Sequence, residues 1–349
     1  MNSRTPHGTP SRTSVRTPSR IHARRAHVRR ALTALTAALL GTLVALVPGS
    51  ASAYPGPGLV TGDISVHDPS MVRLDDGRYI LYSTHNGPQA RISADRTRFT
   101  HAGAAFPNPP SWWGRYSPER SPWAPDVSKQ GGRYWLYYSL STFGSNHSAI
   151  GVATSPSGLP GTWTDHGPVY TTTTSSDHNA IDPNLFVDDD GKWWMTFGSW
   201  WTGIKMIRLD PSTGKQHPGD RTLYSVAARN PTSNGIEGPT LVKRGGYYYL
   251  FASFDKCCAG TDSTYSIRVG RSTSPTGPFR DRNGADMRNN GGTVVLETHG
   301  QVVGPGGQSV MSDVDGDLLV YHYYDRANNG SPTLGINLMR WDGGWPVVH

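Results

Sequence analysis

The sequence predicts an all-β protein, a single-domain five-bladed β-propeller. Three observations carry that expectation. One hairpin pattern occurs five times, each copy turns on a glycine-containing dipeptide, and a further apolar strand follows each copy. The copies are Met71–Ser83, Val127–Ser139, Leu185–Gly198, Leu241–Ser253 and Ser309–Tyr323. Their arms are apolar and aromatic with period-two alternation, the mark of strands whose successive side chains point to opposite faces. The turns are Asp76-Gly77, Gly131-Gly132, Asp190-Gly191, Gly245-Gly246 and Asp315-Gly316. Such dipeptides supply the positive φ angles that tight hairpins need. The turn glycines are 55, 59, 55 and 70 residues apart. Third strands are expected near 90–92, 149–154, 204–209, 267–271 and 334–340. A β-sandwich explains the alternation but not the fivefold repetition, whereas radial closure of five blades explains both.

Composition agrees. Gly 41, Pro 27, Trp 11 and Tyr 16 with 17% charged residues argue against a helical bundle or coiled coil. The 349 residues hold Lys+Arg 33 against Asp+Glu 26, a net charge of +7. That surplus is local. Residues 1–53 contain eight arginines and no lysine or acid, which leaves 25 basic against 26 acidic residues in 54–349. No nucleic-acid partner is therefore expected.

The arginine-rich 1–30, the apolar 31–48 and Ala51-Ser52-Ala53 have the order of a secretory signal peptide. The expected division is a signal peptide over 1–53 and the propeller over 54–349, with a secreted, extracellular product. An uncleaved anchor is the alternative, but the apolar run is at the lower limit for spanning. The small-x-small site favours cleavage, after which no membrane association is expected. Arg24-Arg25 and Arg29-Arg30 permit twin-arginine export as a second route. The two cysteines, Cys257 and Cys258, are adjacent. They exclude a disulfide framework, and in an oxidising compartment a vicinal disulfide is favoured over two free thiols.

The residues ahead of each hairpin carry the chemistry. They read His67-Asp68-Pro69-Ser70, Trp123-Ala124-Pro125-Asp126, Ile181-Asp182-Pro183-Asn184, Ile236-Glu237-Gly238-Pro239 and Gly304-Pro305-Gly306-Gly307-Gln308. Asp68, Asp182 and Glu237 each stand nine residues before a turn glycine. Innermost strands line a propeller's channel, so three carboxyl groups in one register face one small volume. Like charges keep at least one such group protonated. Glycoside hydrolysis needs that combination of a carboxylic acid and a carboxylate. A single Asp-Pro is ordinary turn chemistry, whereas three acids on separate repeats point to function. Asp126 falls outside the register and is expected to support a turn or the ring.

Asp188-Asp189-Asp190 and Asp313, Asp315 and Asp317 lie at hairpin turns and are expected to be solvated. They lack the spacing of a calcium loop, and the chain has no nucleophile elbow, phosphate loop or paired-cysteine zinc site. Trp112, Trp113, Trp123, Phe143, Trp200 and Trp201 fall where loops should meet the channel, as platforms for sugar faces. Trp135, Trp193 and Trp194 are expected in the core.

HDPSMV at 67–72, SPWAPDV at 121–127, STFGSNHSAIG at 141–151, NAIDPN at 179–184, FGSWW at 197–201, GIEGP at 235–239 and VYHYYD at 320–325 resemble glycoside hydrolase family 43. Within it they are most similar to the arabinan endo-1,5-α-L-arabinosidases, over essentially all of 60–345. The resemblance implies the five-bladed propeller and an inverting cut of α-1,5-L-arabinofuranosidic bonds, with arabinan and arabino-oligosaccharides as partners. It implies Asp68 as general base, Glu237 as general acid and Asp182 as the carboxylate that raises and orients the acid. Inversion requires Asp68 and Glu237 about 6.5–9.5 Å apart, with a water between them. Trp123, Phe143, Gly144, Asn179, Ser199 and Trp200 are the expected substrate-binding residues. No cofactor is required for the chemistry, and a monomer is expected.

Many bacterial members carry Gly-Pro-Gly-His at the start of blade 5, where the His binds a metal ion. Here Gly304-Pro305-Gly306-Gly307-Gln308 departs from that pattern, which argues against a channel ion and leaves the metal content unknown. Gln308 is the candidate to hold a water or a weaker ion instead, and His299 and His322 are the other candidate channel histidines, with a structural role favoured for each. Exo-acting α-L-arabinofuranosidase or β-xylosidase activity is the second enzymatic reading, and a non-catalytic sugar-binding propeller the third.

Overall fold

The computed structural model describes residues 54–85 and 87–349. The expected signal peptide over 1–53 lies outside the described residues. Five antiparallel sheets follow one another along the chain, and each begins with the strand nearest the centre. Blade 1 runs Ser70–Arg73, Tyr79–Ser83, Gln89–Ser93 and Arg98–Ala104; blade 2 runs Trp123–Gln130, Arg133–Leu140, Ala149–Ser155 and Thr164–Thr171. Blade 3 runs Asn184–Val187, Trp193–Phe197 and Ile204–Asp210, whose far edge pairs with both Lys215–Gln216 and Tyr224–Ala227. Blade 4 is Ile236–Arg244, Tyr247–Phe254, Ser266–Ser272 and Thr293–Leu296; blade 5 is Val302–Asp313, Gly316–Asp325, Ser331–Asp342 and Trp345–Val348. The innermost strands touch in sequence and the fifth returns to the first, so the five sheets close a ring.

Both faces of the strands are apolar because each sheet is covered on both sides. Tyr134, Leu136 and Tyr138 pack with Ile80 and Tyr82 of blade 1. The alternate residues Trp135 and Tyr137 pack with Trp193 and Met195 of blade 3. Period-two alternation thus sends successive aromatics to opposite neighbours. The other three core clusters fill the remaining blade interfaces in the same way.

A polar belt ties the innermost strands together. Val127 N–H donates to Ser70 Oγ at 3.0 Å, Leu185 N–H to Asp126 Oδ2 at 2.8 Å and Leu241 N–H to Asn184 Oδ1 at 2.8 Å. Thr240 Oγ1 donates to the Gln308 carbonyl at 2.8 Å and Ser309 Oγ to the Pro69 carbonyl at 2.9 Å. Each bond crosses to the next blade. Asp126 is therefore the ring support expected of it, and burial pushes its carboxyl up to about 6 against the donors on Leu185 and Asn184.

The N-terminal stretch bolts the ring shut. Gly58 N–H donates to the Ile336 carbonyl and Leu334 N–H to the Ile64 carbonyl, both at 2.9 Å, on blade 5. Thr61–Gly62 then pairs in parallel with Arg98 and Phe99 of blade 1. Gly62 has φ 90°, and a Cβ there would fall 2.1 Å from the Phe99 carbonyl oxygen, so only glycine fits. His299 belongs to this seal, with Nε2 3.1 Å from the Pro55 carbonyl, and is not a channel residue.

Candidate active site

Each innermost strand has an equivalent residue in the left-handed region, just before it or within it: Asp68 (φ 49°), Ala124 (41°), Asp182 (58°), Gly238 (58°) and Gly307 (55°). In blades 1 to 4 a proline follows, and in blade 5 Gln308 takes its place. Aspartate tolerates this conformation better than most residues with a Cβ. Asp68 and Asp182 are therefore structural equivalents, whereas Glu237 sits one residue earlier, level with His67, Trp123, Ile181 and Gly306.

The nine-residue count placed Glu237 in the wrong register. In blade 4 Arg244 pairs directly with Tyr247 across a two-residue turn, whereas Arg73 pairs with Tyr79 and Val187 with Trp193 across longer ones. Counts taken from the turn glycine are thus not equivalent. A bulge between Glu237 and Thr240 re-aims the strand, and the Glu237 carboxyl still lies within the fields of Asp68 and Asp182.

Asp68 is held through one carboxyl oxygen and its backbone amide. Its Oδ2 meets His67 Nδ1 at 2.9 Å and accepts from Thr84 Oγ1 at 2.6 Å. Its N–H donates to His322 Nδ1 at 3.1 Å. The His67 and His322 rings stack with centroids 3.7 Å apart. Burial works to raise the Asp68 carboxyl, but His67, His322 and Thr84 together outweigh it and hold Asp68 well below the usual carboxylate range. A Cβ at position 307 would fall 2.3 Å from Asp68 Oδ1, which accounts for glycine there.

Glu237 has the opposite balance. Burial and the Asp68 charge push it up to about 7, against the Ser199 and Trp200 hydrogen bonds and the His67 charge. Ser199 Oγ donates to Glu237 Oε2 at 2.5 Å. Asp182 is raised by burial and by the charges of Glu237 and Asp68, and its Oδ2 accepts from Gly238 N–H at 3.1 Å. A proton held by Glu237 and Asp182 thus lies beside a carboxylate without one, a pairing able to deliver a proton and remove another.

The other expected site residues separate into two groups. Phe143 is 82% exposed at a loop tip with Gly144 at φ 77°, and Trp123 and Trp200 are partly exposed. Asn179 and Ser199 are buried and already engaged. Asn179 accepts from Ser148 Oγ at 2.7 Å and donates to the Ser145 carbonyl at 3.3 Å, so it braces the Phe143 loop. Ser199 is spent on Glu237. Trp113 is fully buried with its indole N–H on Tyr138 and is no sugar platform, and Trp112 packs against the same core cluster with its indole N–H on Asp165.

The hairpin-turn acids also correct an expectation. Asp188 and Asp317 are buried, and the Asp313 side chain is too, because each finds a cation or phenol on a neighbouring blade. Asp189, Asp190 and Asp315 are the exposed ones.

His67, Asp68 and His322 present ligand atoms within 4.8 Å of one another. They do not fit a cation. Both His67 nitrogens are engaged, and His322 Nδ1 accepts the Asp68 N–H, which leaves the proton on Nε2. Gln308 is committed as well. Its Nε2 donates to the Gly238 carbonyl at 2.6 Å and its Oε1 accepts from Ser253 Oγ at 2.8 Å, which joins blades 4 and 5. His67, Thr84 and Tyr324 were not among the expected site residues. His67 was legible beside Asp68, but Tyr324 lies 257 residues from His67 and becomes its partner only on folding. Cys257 and Cys258 form the vicinal disulfide.

Residues 60–346 match the family model described as glycosyl hydrolases family 43. The chain is similar to the extracellular endo-α-(1→5)-L-arabinanase 1 of Bacillus subtilis (strain 168), with 46% identity over 286 residues, covering 80% of this chain and 87% of the relative. The solved GH43 endo-arabinanase of Bacillus licheniformis superposes with a TM-score of 0.77 at 44% identity, over 83% of this chain and 99% of that one. An exo-1,5-α-L-arabinanase from a bovine ruminal metagenomic library superposes at 0.78 with 37% identity, over 83% of this chain and 99% of that one.

Proposed function

The chain belongs to glycosyl hydrolases family 43 and is a glycoside hydrolase, and from that premise we propose that it is a secreted endo-arabinanase acting through Asp68, Asp182 and Glu237. The observation that carries the reading is the divergence of two carboxyl groups at one channel mouth. Asp68 is held ionised, whereas Glu237, pushed up to about 7, keeps its proton to a far higher pH than an ordinary carboxyl group.

Asp68 takes a proton from the attacking water, while Glu237 delivers its proton to the oxygen of the departing sugar. Asp182, bonded to the amide of Gly238, fixes the backbone next to Glu237, and the field between the two carboxyl groups keeps a proton on the pair. Single displacement by water inverts the anomeric centre. Two carboxyl groups and water complete the reaction, and no cofactor takes part.

The substrate is α-1,5-linked L-arabinan. Phe143, Trp123 and Trp200 supply the open aromatic surface for its rings. Export through the signal peptide over 1–53 would bring the enzyme to that polymer. The exo-acting relative with the same fold supplies the second reading, in which one end of the cleft is closed.

Product analysis on linear arabinan separates the two. Oligosaccharides of mixed length in the first minutes support endo cleavage, and arabinose alone overturns it. Glu237→Ala should abolish hydrolysis in a folded protein, and full activity in that variant would overturn the mechanism. Proton NMR of the first-formed anomer tests inversion.

A further inference from the structure

The loop after the second strand of blade 4 carries the vicinal pair. Cys258 is exposed, with φ 63°. Its N–H donates to the Tyr324 hydroxyl at 2.7 Å, and its Sγ lies 3.8 Å from His67 Nε2. The same hydroxyl meets His67 Nε2 at 2.9 Å, and the opposite ring nitrogen meets Asp68 Oδ2. An amide on blade 4, a phenol on blade 5 and an imidazole and carboxylate on blade 1 form one continuous chain of hydrogen bonds.

The proton directions follow from the groups. An amide only donates and an ionised carboxylate only accepts. Nδ1 of His67 must therefore carry a proton toward Asp68. In the neutral ring Tyr324 gives its proton to Nε2. In the charged ring Nε2 gives its proton to the Tyr324 oxygen, which also accepts from the Cys258 amide. In both states the hydroxyl fills Nε2 and leaves Nδ1–H for Asp68. Without it the imidazole can rotate or change tautomer. Thr84 keeps Asp68 partly oriented, so the effect is a graded one. The vicinal disulfide matters because Cys258 holds a left-handed φ that residues with a Cβ seldom adopt. The small ring keeps that conformation and keeps the amide aimed at Tyr324.

We propose that Tyr324, pinned by the Cys258 amide of the vicinal disulfide, is a positioning residue that holds His67 as the Nδ1–H donor orienting Asp68. The inference rests on Asp68 as the base.

Tyr324→Phe removes only the hydroxyl and keeps the ring beside His322, 5.5 Å away. It should lower kcat on linear arabinan about tenfold with KM within about twofold, the scale of one hydrogen bond in a charged network. Cys257→Ala should lower kcat severalfold and add nothing to Tyr324→Phe, because both act through one contact. An unchanged kcat in Tyr324→Phe, an effect confined to KM, or losses that multiply in the double variant would overturn the proposal.

If Cys257→Ala does not fold, phosphine reduction of folded wild type and Tyr324→Phe replaces that arm. The S–S bond breaks, two thiols form, and the phosphine takes the oxygen of a water molecule. Activity should fall in wild type and not in Tyr324→Phe, and equal losses count against the proposal. Asp68→Asn run alongside separates the two levels. If it keeps activity, the base assignment fails. If it is inactive while Tyr324→Phe is normal, only the positioning role fails.

Discussion

At the hairpin end of the blades, Asp317 meets Arg244 and Trp341, Asp313 meets Arg96 and Tyr79, and Asp188 meets Lys243 and Tyr248. At the channel end, Asp68, Asp182 and Glu237 have imidazoles, hydroxyls and backbone amides as their described partners. Both sets are acids on or beside innermost hairpins, and both are substantially buried. A guanidinium or ammonium across a blade interface compensates burial and leaves an ionised, inert tie. Without such a cation, burial makes carboxyl groups compete for protons. Only Asp68, beside two histidines, escapes that pressure. The position of the cation, and not the acid itself, separates structural from chemical carboxyl groups here.

The sharpest way to break this contrast is Glu237→Gln. It should cut kcat/KM on the order of 1000-fold, the scale of losing a general acid. Stability should move the other way. Glu237 holds its proton in the folded state up to about 7 while the unfolded chain releases it near 4.5. The native protein therefore binds the extra proton, and stability falls as pH rises between those values. Urea melts at pH 5 and pH 8 should show that fall in wild type and a smaller one in the variant. An equal fall would remove Glu237 as its source.

The pH dependence of the rate comes next. The alkaline limb of kcat/KM should lie near 7, set by Glu237, and the acid limb should lie below the ordinary carboxylate range, set by Asp68. Ser199 stabilises the ionised form of Glu237, so Ser199→Ala should move the alkaline limb upward. A downward move would contradict the assignment.

Asp317→Asn probes the other end. It should leave kcat within about twofold of wild type and cost about 1–3 kcal/mol at neutral pH, because Arg244 and Trp341 lose a buried acceptor. Asp317 is lowered despite its burial because Arg244, Trp341 and Ser312 bond to the ionised form. Its contribution is thus present above the unfolded value and disappears as pH falls through the folded one. Denaturant midpoints from pH 7 to 3 should converge. The smallest effect belongs to Asp190→Asn, an exposed partner of Lys192, whose thermal midpoint and rate should match wild type.

Much of the fold was legible because its signals are local. Period-two alternation and the turn glycines mark the five hairpins without any distant contact, and Asp68, Asp182 and Glu237 stand beside them. The register of Glu237 was not legible, because it depends on hairpin loop length and a bulge between Glu237 and Thr240. The buried state of Asp188, Asp313 and Asp317 was hidden for another reason. Their cationic and phenolic partners sit 55 to 234 residues away in the chain, on a neighbouring blade. Asn179 and Ser199 looked like open polar groups, but both are buried and bonded, Asn179 to Ser148 and Ser199 to Glu237.

The sequence alone determined that five similar units carry apolar and aromatic residues at successive strand positions, and a unit with two apolar faces must be covered on both. That requirement leads to a closed ring. It also determined which acids stand where such strands begin. Tertiary closure decided what those acids became. It brought Tyr324 and Cys258 to His67, aligned His322 with Asp68, and set Arg244 against Asp317. A carboxyl group's proton affinity is fixed by the charges and donors within a few ångströms of it, and in a propeller most of those come from other blades.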